Sequence, residues 1–127
     1  MRPPVFALAE ADANVVTALK TGSGPLRVWQ FGMAPQKGTN LYGVPYAVWQ
    51  FAYGSPENYL GDRPDIDNPG VQIDVYAPQE GQARNIAEKL QYAMEAGGYV
   101  VSYRGEEKDV PTGLFRSGFD VEFWTPR

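Results

Sequence analysis

The side chains that could do chemistry in this chain are mostly carboxylates, and they gather in two places. Asp62, Asp65 and Asp67 lie close together in a turn-rich stretch, and clustered carboxylates are what Mg²⁺ or Ca²⁺ requires. The calcium-loop spacing fails, however. Counting from Asp65, Asp67 falls at the third position and Gly70 at the sixth, but Pro69 occupies a ligand position and Tyr76 replaces the closing Glu. Asp among Pro and Gly is ordinary turn chemistry, so these three are expected to be solvated turn residues. Glu106, Glu107 and Asp109 form the second group. An acid/base pair of the glycosidase kind needs two carboxylates in different environments across a cleft. Three acids in one hydrophilic hairpin loop are expected to share an environment and simply face water.

The remaining chemistries are excluded by what is missing or misplaced. With no cysteine, disulfides, thiolate zinc sites, iron–sulfur ligation and cysteine nucleophiles are ruled out. With no histidine, the commonest general base and metal ligand is gone, and every Ser-His-Asp arrangement with it. No Lys, Tyr or Ser stands beside a candidate activator. Gly22-Ser23-Gly24 lacks the third glycine of a dinucleotide fingerprint and follows a helical pattern rather than a strand. Gly118-Phe119-Asp120-Val121-Glu122-Phe123 has the aromatic spacing of an RNA-binding strand, but Asp120 and Glu122 on its other face would repel phosphates. A net charge of -4 is also the wrong sign for neutralising a nucleic-acid backbone. The expectation is a non-enzyme with no catalytic, cofactor or metal site.

At 127 residues the chain has the length of one domain, read as spanning 1–127, and 43% hydrophobic residues suffice for its core. No apolar run reaches the roughly 20 residues of a membrane helix, and Met1-Arg2-Pro3-Pro4 has no signal-peptide pattern. A soluble, cytoplasmically made protein is expected.

The elements follow from periodicity. Val5, Leu8, Ala9, Val15, Val16 and Leu19 fall near a 3.6-residue period and predict one amphipathic helix over 4–20, stopped by Thr21-Gly22-Ser23-Gly24-Pro25. Leu26–Phe31 reads as a strand. Tyr46–Tyr53 is a second strand, apolar on both faces, with Trp49, Phe51 and Tyr53 on one side and Tyr46, Val48 and Ala52 on the other. Such a strand is covered on both sides, or meets another subunit. Val71–Tyr76 alternates as a half-buried strand. Ala83, Ile86, Ala87, Leu90 and Met94 then mark a second helix, ended by Gly97-Gly98. Strands over 99–104 and 114–123 flank a polar loop from Gly105 to Gly113. Gly32–Val44 and Gly54–Gly70 are read as long loops, of the kind usually kept for function. The order α-β-β-β-α-β-β predicts an α+β domain, with about five mainly antiparallel, possibly mixed strands and two helices on one face.

The run Val44-Pro45-Tyr46-Ala47-Val48-Trp49-Gln50, the strand Val71-Gln72-Ile73-Asp74-Val75-Tyr76-Ala77, the Ala-rich helix after it and the closing Arg116-Ser117-Gly118-Phe119-Asp120-Val121 resemble the tail-completion, or tail-terminator, family of long-tailed bacteriophages and prophages. That resemblance implies a virion protein that assembles, usually as a six-fold ring, on the last ring of tail-tube protein, stops tube growth and faces the head connector. It implies no cofactor. Partners would be further copies, the tube protein and the connector, with DNA sliding through an acidic bore that does not bind it. Interface candidates are Trp49, Phe51, Tyr53, Tyr59, Asp62, Asp65, Asp67, Glu106, Glu107 and Asp109. A head-closure adaptor at the same junction is the nearest alternative, and a small cytoplasmic ligand-binding domain the next.

Overall fold

A computed structural model describes residues 4–31, 44–53, 66–67, 70–109, 113–123 and 125–126. Ten elements follow in order: α1 (Val5–Glu10), α2 (Ala13–Leu19), β1 (Val28–Gln30), β2 (Tyr46–Tyr53), β3 (Ile66–Asp67), β4 (Gly70–Ala77), α3 (Gln82–Met94), β5 (Gly98–Asp109), β6 (Leu114–Phe123) and β7 (Thr125–Pro126). Five strands form one sheet in the order β1-β2-β4-β6-β5, and β3 pairs with β7 in a separate ribbon. Within the sheet β1 runs parallel to β2 and every other pairing is antiparallel. The α+β class and the five strands match expectation, and the sheet is mixed.

Alternation decides which side of the sheet is buried. Val71, Ile73, Val75 and Ala77 of β4 and Phe119, Val121 and Phe123 of β6 are fully buried. Ala83, Ile86, Ala87, Leu90 and Met94 of α3 pack against them, and Val5, Ala9, Val15 and Leu19 of the two short helices complete the same cluster. All three helices thus feed one core. The opposite face of the sheet carries the polar residues of each strand.

Three expectations are corrected. The single helix over 4–20 is two helices, because Asp12 leaves the helical region (φ -101, ψ 117) and its carboxylate accepts from the backbone N–H of Asn14 and Val15 at 2.9 and 3.1 Å. A local acceptor that satisfies orphan donors starts a new helix. The stretch from Gly105 is not a loop: β5 continues to Asp109, with Glu107, Lys108 and Asp109 opposite Arg116, Phe115 and Leu114. Two register shifts in β5, at Val100/Ser102 and Arg104/Glu107, absorb extra residues and hide the strand from a simple alternation count. Finally, Ile66–Asp67 inside the expected Gly54–Gly70 loop pairs with Thr125–Pro126. The Gly32–Val44 segment lies outside the described residues apart from Val44.

Candidate interaction surface

The sheet face turned away from the helices is built from charged and aromatic side chains that lock strands together. Register sets Asp74 of β4, Gly118 of β6 and Arg104 of β5 in one row across three strands. Arg104 reaches over the bare glycine, giving 3.2 Å to Asp74 Oδ1 and 2.9 Å to Asp120 Oδ1. A Cβ at position 118 would collide with both the Asp74 carboxylate and the Arg104 guanidinium. Glycine is therefore the residue that lets the bridge form. Gln72 donates to Asp74 at 2.9 Å, and Ser102 to Asp120 at 2.7 Å. Burial alone pulls the Arg104 pKa down, but hydrogen bonding and charge from Asp120 and then Asp74 outweigh it and hold the pKa above its ordinary value. The roof over Asp74 leaves that carboxylate buried although it points to the solvent side.

Next to this row stands an aromatic strip. The Tyr46 and Tyr76 rings stack at 5.1 Å, and Trp29 lies 6.3 Å from Tyr46. Arg116 bonds Glu107 across β6 and β5. Bonding to Glu107 first, and then to Tyr76, raises the Arg116 pKa well above its usual value.

Glu106 and Glu107 do not share an environment, contrary to expectation. Glu107 joins Arg116, whereas Glu106 turns to the helix side and accepts from the backbone N–H of Gly81 at 2.7 Å and of Arg84 at 3.2 Å. The first residue before α3 is Gly81, in the left-handed region at φ 81, with no side chain to cap its own helix. A carboxylate from β5 fills that position and meets the positive end of the helix dipole. Neither Glu is placed as a proton donor and base across a cleft.

The other candidates are dispersed. On a strand that lies between β1 and β4, Tyr46, Val48 and Gln50 of one face are half-buried, while Trp49 on the other face is 3% exposed and stands in the core cluster. Phe51, on the same side, has its ring edge against Trp49 at 5.6 Å and remains 46% exposed. Tyr53, Asp67 and Asp109 are placed by their backbones, in β2, β3 and β5. Tyr59, Asp62 and Asp65 lie outside the described residues. Among the described residues no group of His, Cys, Asp or Glu is gathered to hold a metal ion.

The family model described as tail completion protein gp17 matches residues 3–126. This chain belongs to the tail completion protein gp17 family. A search among curated proteins found no match. Membership in the gp17 family gives the chain a structural role in bacteriophage tail completion and a place in the virion tail. No described helix is long and apolar enough to cross a membrane.

Several residues that build this gp17-family surface escape sequence reasoning. Arg104, Asp74, Asp120 and Arg116 read singly as solvated charges, since only the register shows that opposite signs face each other. The available signal was Gly118, a glycine inside an otherwise strong strand pattern, which marks a close approach of another group.

Proposed function

We propose that this protein is a tail terminator: copies close into a ring, with six-fold symmetry, on the last ring of the tail tube, stop its polymerisation and present the opposite surface to the head connector. The observation that carries this reading is the family match, which runs from residue 3 to residue 126 and so covers the whole fold. The net charge of -4 supports a bore through which DNA slides without binding. Assembly in the host cytoplasm follows from the same reading. Phe51, Tyr53, Tyr59, Asp62, Asp65, Asp67, Glu107 and Asp109 are the proposed contact residues towards tube, connector and neighbouring copies. Glu106 supports them by fixing β5 to α3, and Trp49 by holding β2 to the core.

The decisive experiment labels the protein in tails purified from a head-defective host. Its presence on free tails is the expected result. Its absence there, with presence on heads, would assign it to head closure instead. Charge reversal at Asp65 and Asp67 should lower the joining of heads to tails; wild-type joining would remove these two residues from the contact.

A further inference from the structure

The two edges of the five-stranded sheet differ from each other in a way that fits one to the other. β1 is a three-residue edge strand, Val28–Gln30, and β5 is a twelve-residue edge strand at the far side. Among the described residues neither has a partner on its outer side. Exposed edges are normally blunted, and β5 is blunted by its two register shifts, which prevent it from pairing along its length with a copy of itself. The shifts divide the pairing of β5 with β6 into three runs of three residues, Gly98–Val100, Ser102–Arg104 and Glu107–Asp109, and β1, also three residues long, is set against the middle one.

Direction agrees as well. β1 runs with β2, β2 against β4, β4 against β6 and β6 against β5, so β5 is antiparallel to β1. When one copy follows another around an axis along the strands, β5 of one therefore meets β1 of the next in the antiparallel sense. The far end of β1 then lies against the start of β5. Both are apolar and exposed: Phe31 is 68% exposed, and Tyr99 and Val101 are 42% and 44% exposed. The near end of β1 lies towards Glu106–Asp109 of β5, where Glu106 already caps α3 and Glu107 already bonds Arg116. At that end of β1 Arg27 is buried, donating to the Pro45 carbonyl at 2.6 Å and the Thr21 hydroxyl at 2.9 Å, with no carboxylate bonded to it among the described residues. Burial lowers its pKa. A cleft of about 440 Å³ beside β1, lined by apolar Phe6, Val16, Leu26, Val28 and Trp29 and by the opposite charges of Glu10 and Lys20, offers room for side chains of an added strand.

We propose that the β1 edge with its cleft receives the β5 edge of a second copy, head to tail, with the exposed apolar end of β1 on the exposed apolar start of β5. Such a contact uses two different patches and closes into a ring when its rotation closes. The proposal rests on the terminator reading and names the surface by which the ring forms.

The chain contains no cysteine, so unsubstituted copies of it contribute no cross-links and identify any product formed through the introduced positions. Phe31→Cys and Val101→Cys, both at exposed positions, are made in separate chains and co-expressed during tail assembly. Purified tails are then treated with a short bismaleimide linker. The expected result is a cross-linked dimer only where both variants are present, and a ladder of multimers when one chain carries both substitutions. Cross-linking of Val101→Cys chains to each other alone would overturn the proposal in favour of a two-fold β5 contact. Labelled protein on the tails with no mixed product would overturn the edge contact while leaving the terminator reading intact. Absence of the protein from tails would overturn that reading itself.

Discussion

The two faces of the sheet are made by the same strands and held by different physics. On the helix side, Val71, Ile73 and Val75 of β4 meet Phe119 and Val121 of β6 and the apolar stripe of α3. Their stabilisation scales with the area hidden from water and tolerates small changes of angle. On the other side, Asp74, Arg104, Asp120, Glu107 and Arg116 are tied by ion pairs that remain partly exposed and therefore contribute little each. Those pairs do depend on register: a slip of one residue along β6 would carry Arg104 off Gly118 and onto a side chain. The difference teaches that the core supplies most of the stability while the outer face selects one alignment of β4, β6 and β5.

The largest test of that division is Phe119→Ala. Phe119 is fully buried in the centre of the core, and its truncation should cost about 3–5 kcal/mol. Thermal or urea unfolding measures it, and a loss near that of a surface substitution would show that the inner face does not dominate. Gly118→Val comes next. Its side chain would strike Asp74 and Arg104, so the pair must part and leave Asp74 with a poorer partner, an expected loss of about 1–3 kcal/mol. Asp74→Asn together with Gly118→Val should recover part of it. Equal loss in the double variant would mean that Gly118 serves backbone shape rather than the bridge.

How legible the molecule was follows the same division. Apolar alternation in 71–76 and 119–123 and the 3.6-residue stripe of α3 let strands, helix and most core residues be read directly, while Asp74 and Gly118, buried on the outer face, break the pattern where Arg104 covers them. What periodicity missed is local or long-range chemistry. Asp12 interrupts the first helix because its carboxylate outcompetes helix continuation, and the apolar spacing on either side gives no warning. The continuation of β5 through Gly105-Glu106-Glu107 was masked by bulges and by polarity that resembles a loop. Among the candidate interface residues, Glu106 shows the limit plainly: it looks like a solvated acid beside Glu107 until the fold brings Gly81 to it from 25 positions away. Residue type reveals that a carboxylate exists, and only topology reveals which donors it faces.

Glu106 also gives the intermediate test, since it belongs to the outer strand but acts on the inner layer. Glu106→Ala would leave the first turn of α3 without its acceptor, at an expected cost of about 1 kcal/mol, in the range of a lost helix cap. Glu106→Gln keeps one accepting oxygen and should recover part of it. Hydrogen exchange at the Gly81 and Arg84 amides should rise in the Ala variant. Unchanged exchange there would remove the cap from the account, whatever the melting temperature does.

The smallest effect tests the weakest part of the outer face. The Arg104 side chain is 42% exposed and Asp120 24% exposed, so water and salt screen their pair and its coupling should be about 0.2–1 kcal/mol. A double-mutant cycle with Arg104→Met and Asp120→Asn isolates that pairwise energy from whatever each side chain does alone. It should shrink between low and high salt, because the Debye length contracts from about 10 Å at 0.1 M to about 3 Å at 1 M. If the pair mainly fixes alignment, the single Arg104→Met variant should lower stability modestly while broadening the amide signals of Ser102, Tyr103 and Gly118, where neighbouring registers would exchange. A coupling of several kcal/mol that ignores salt would reverse the comparison and make the outer face a principal source of stability.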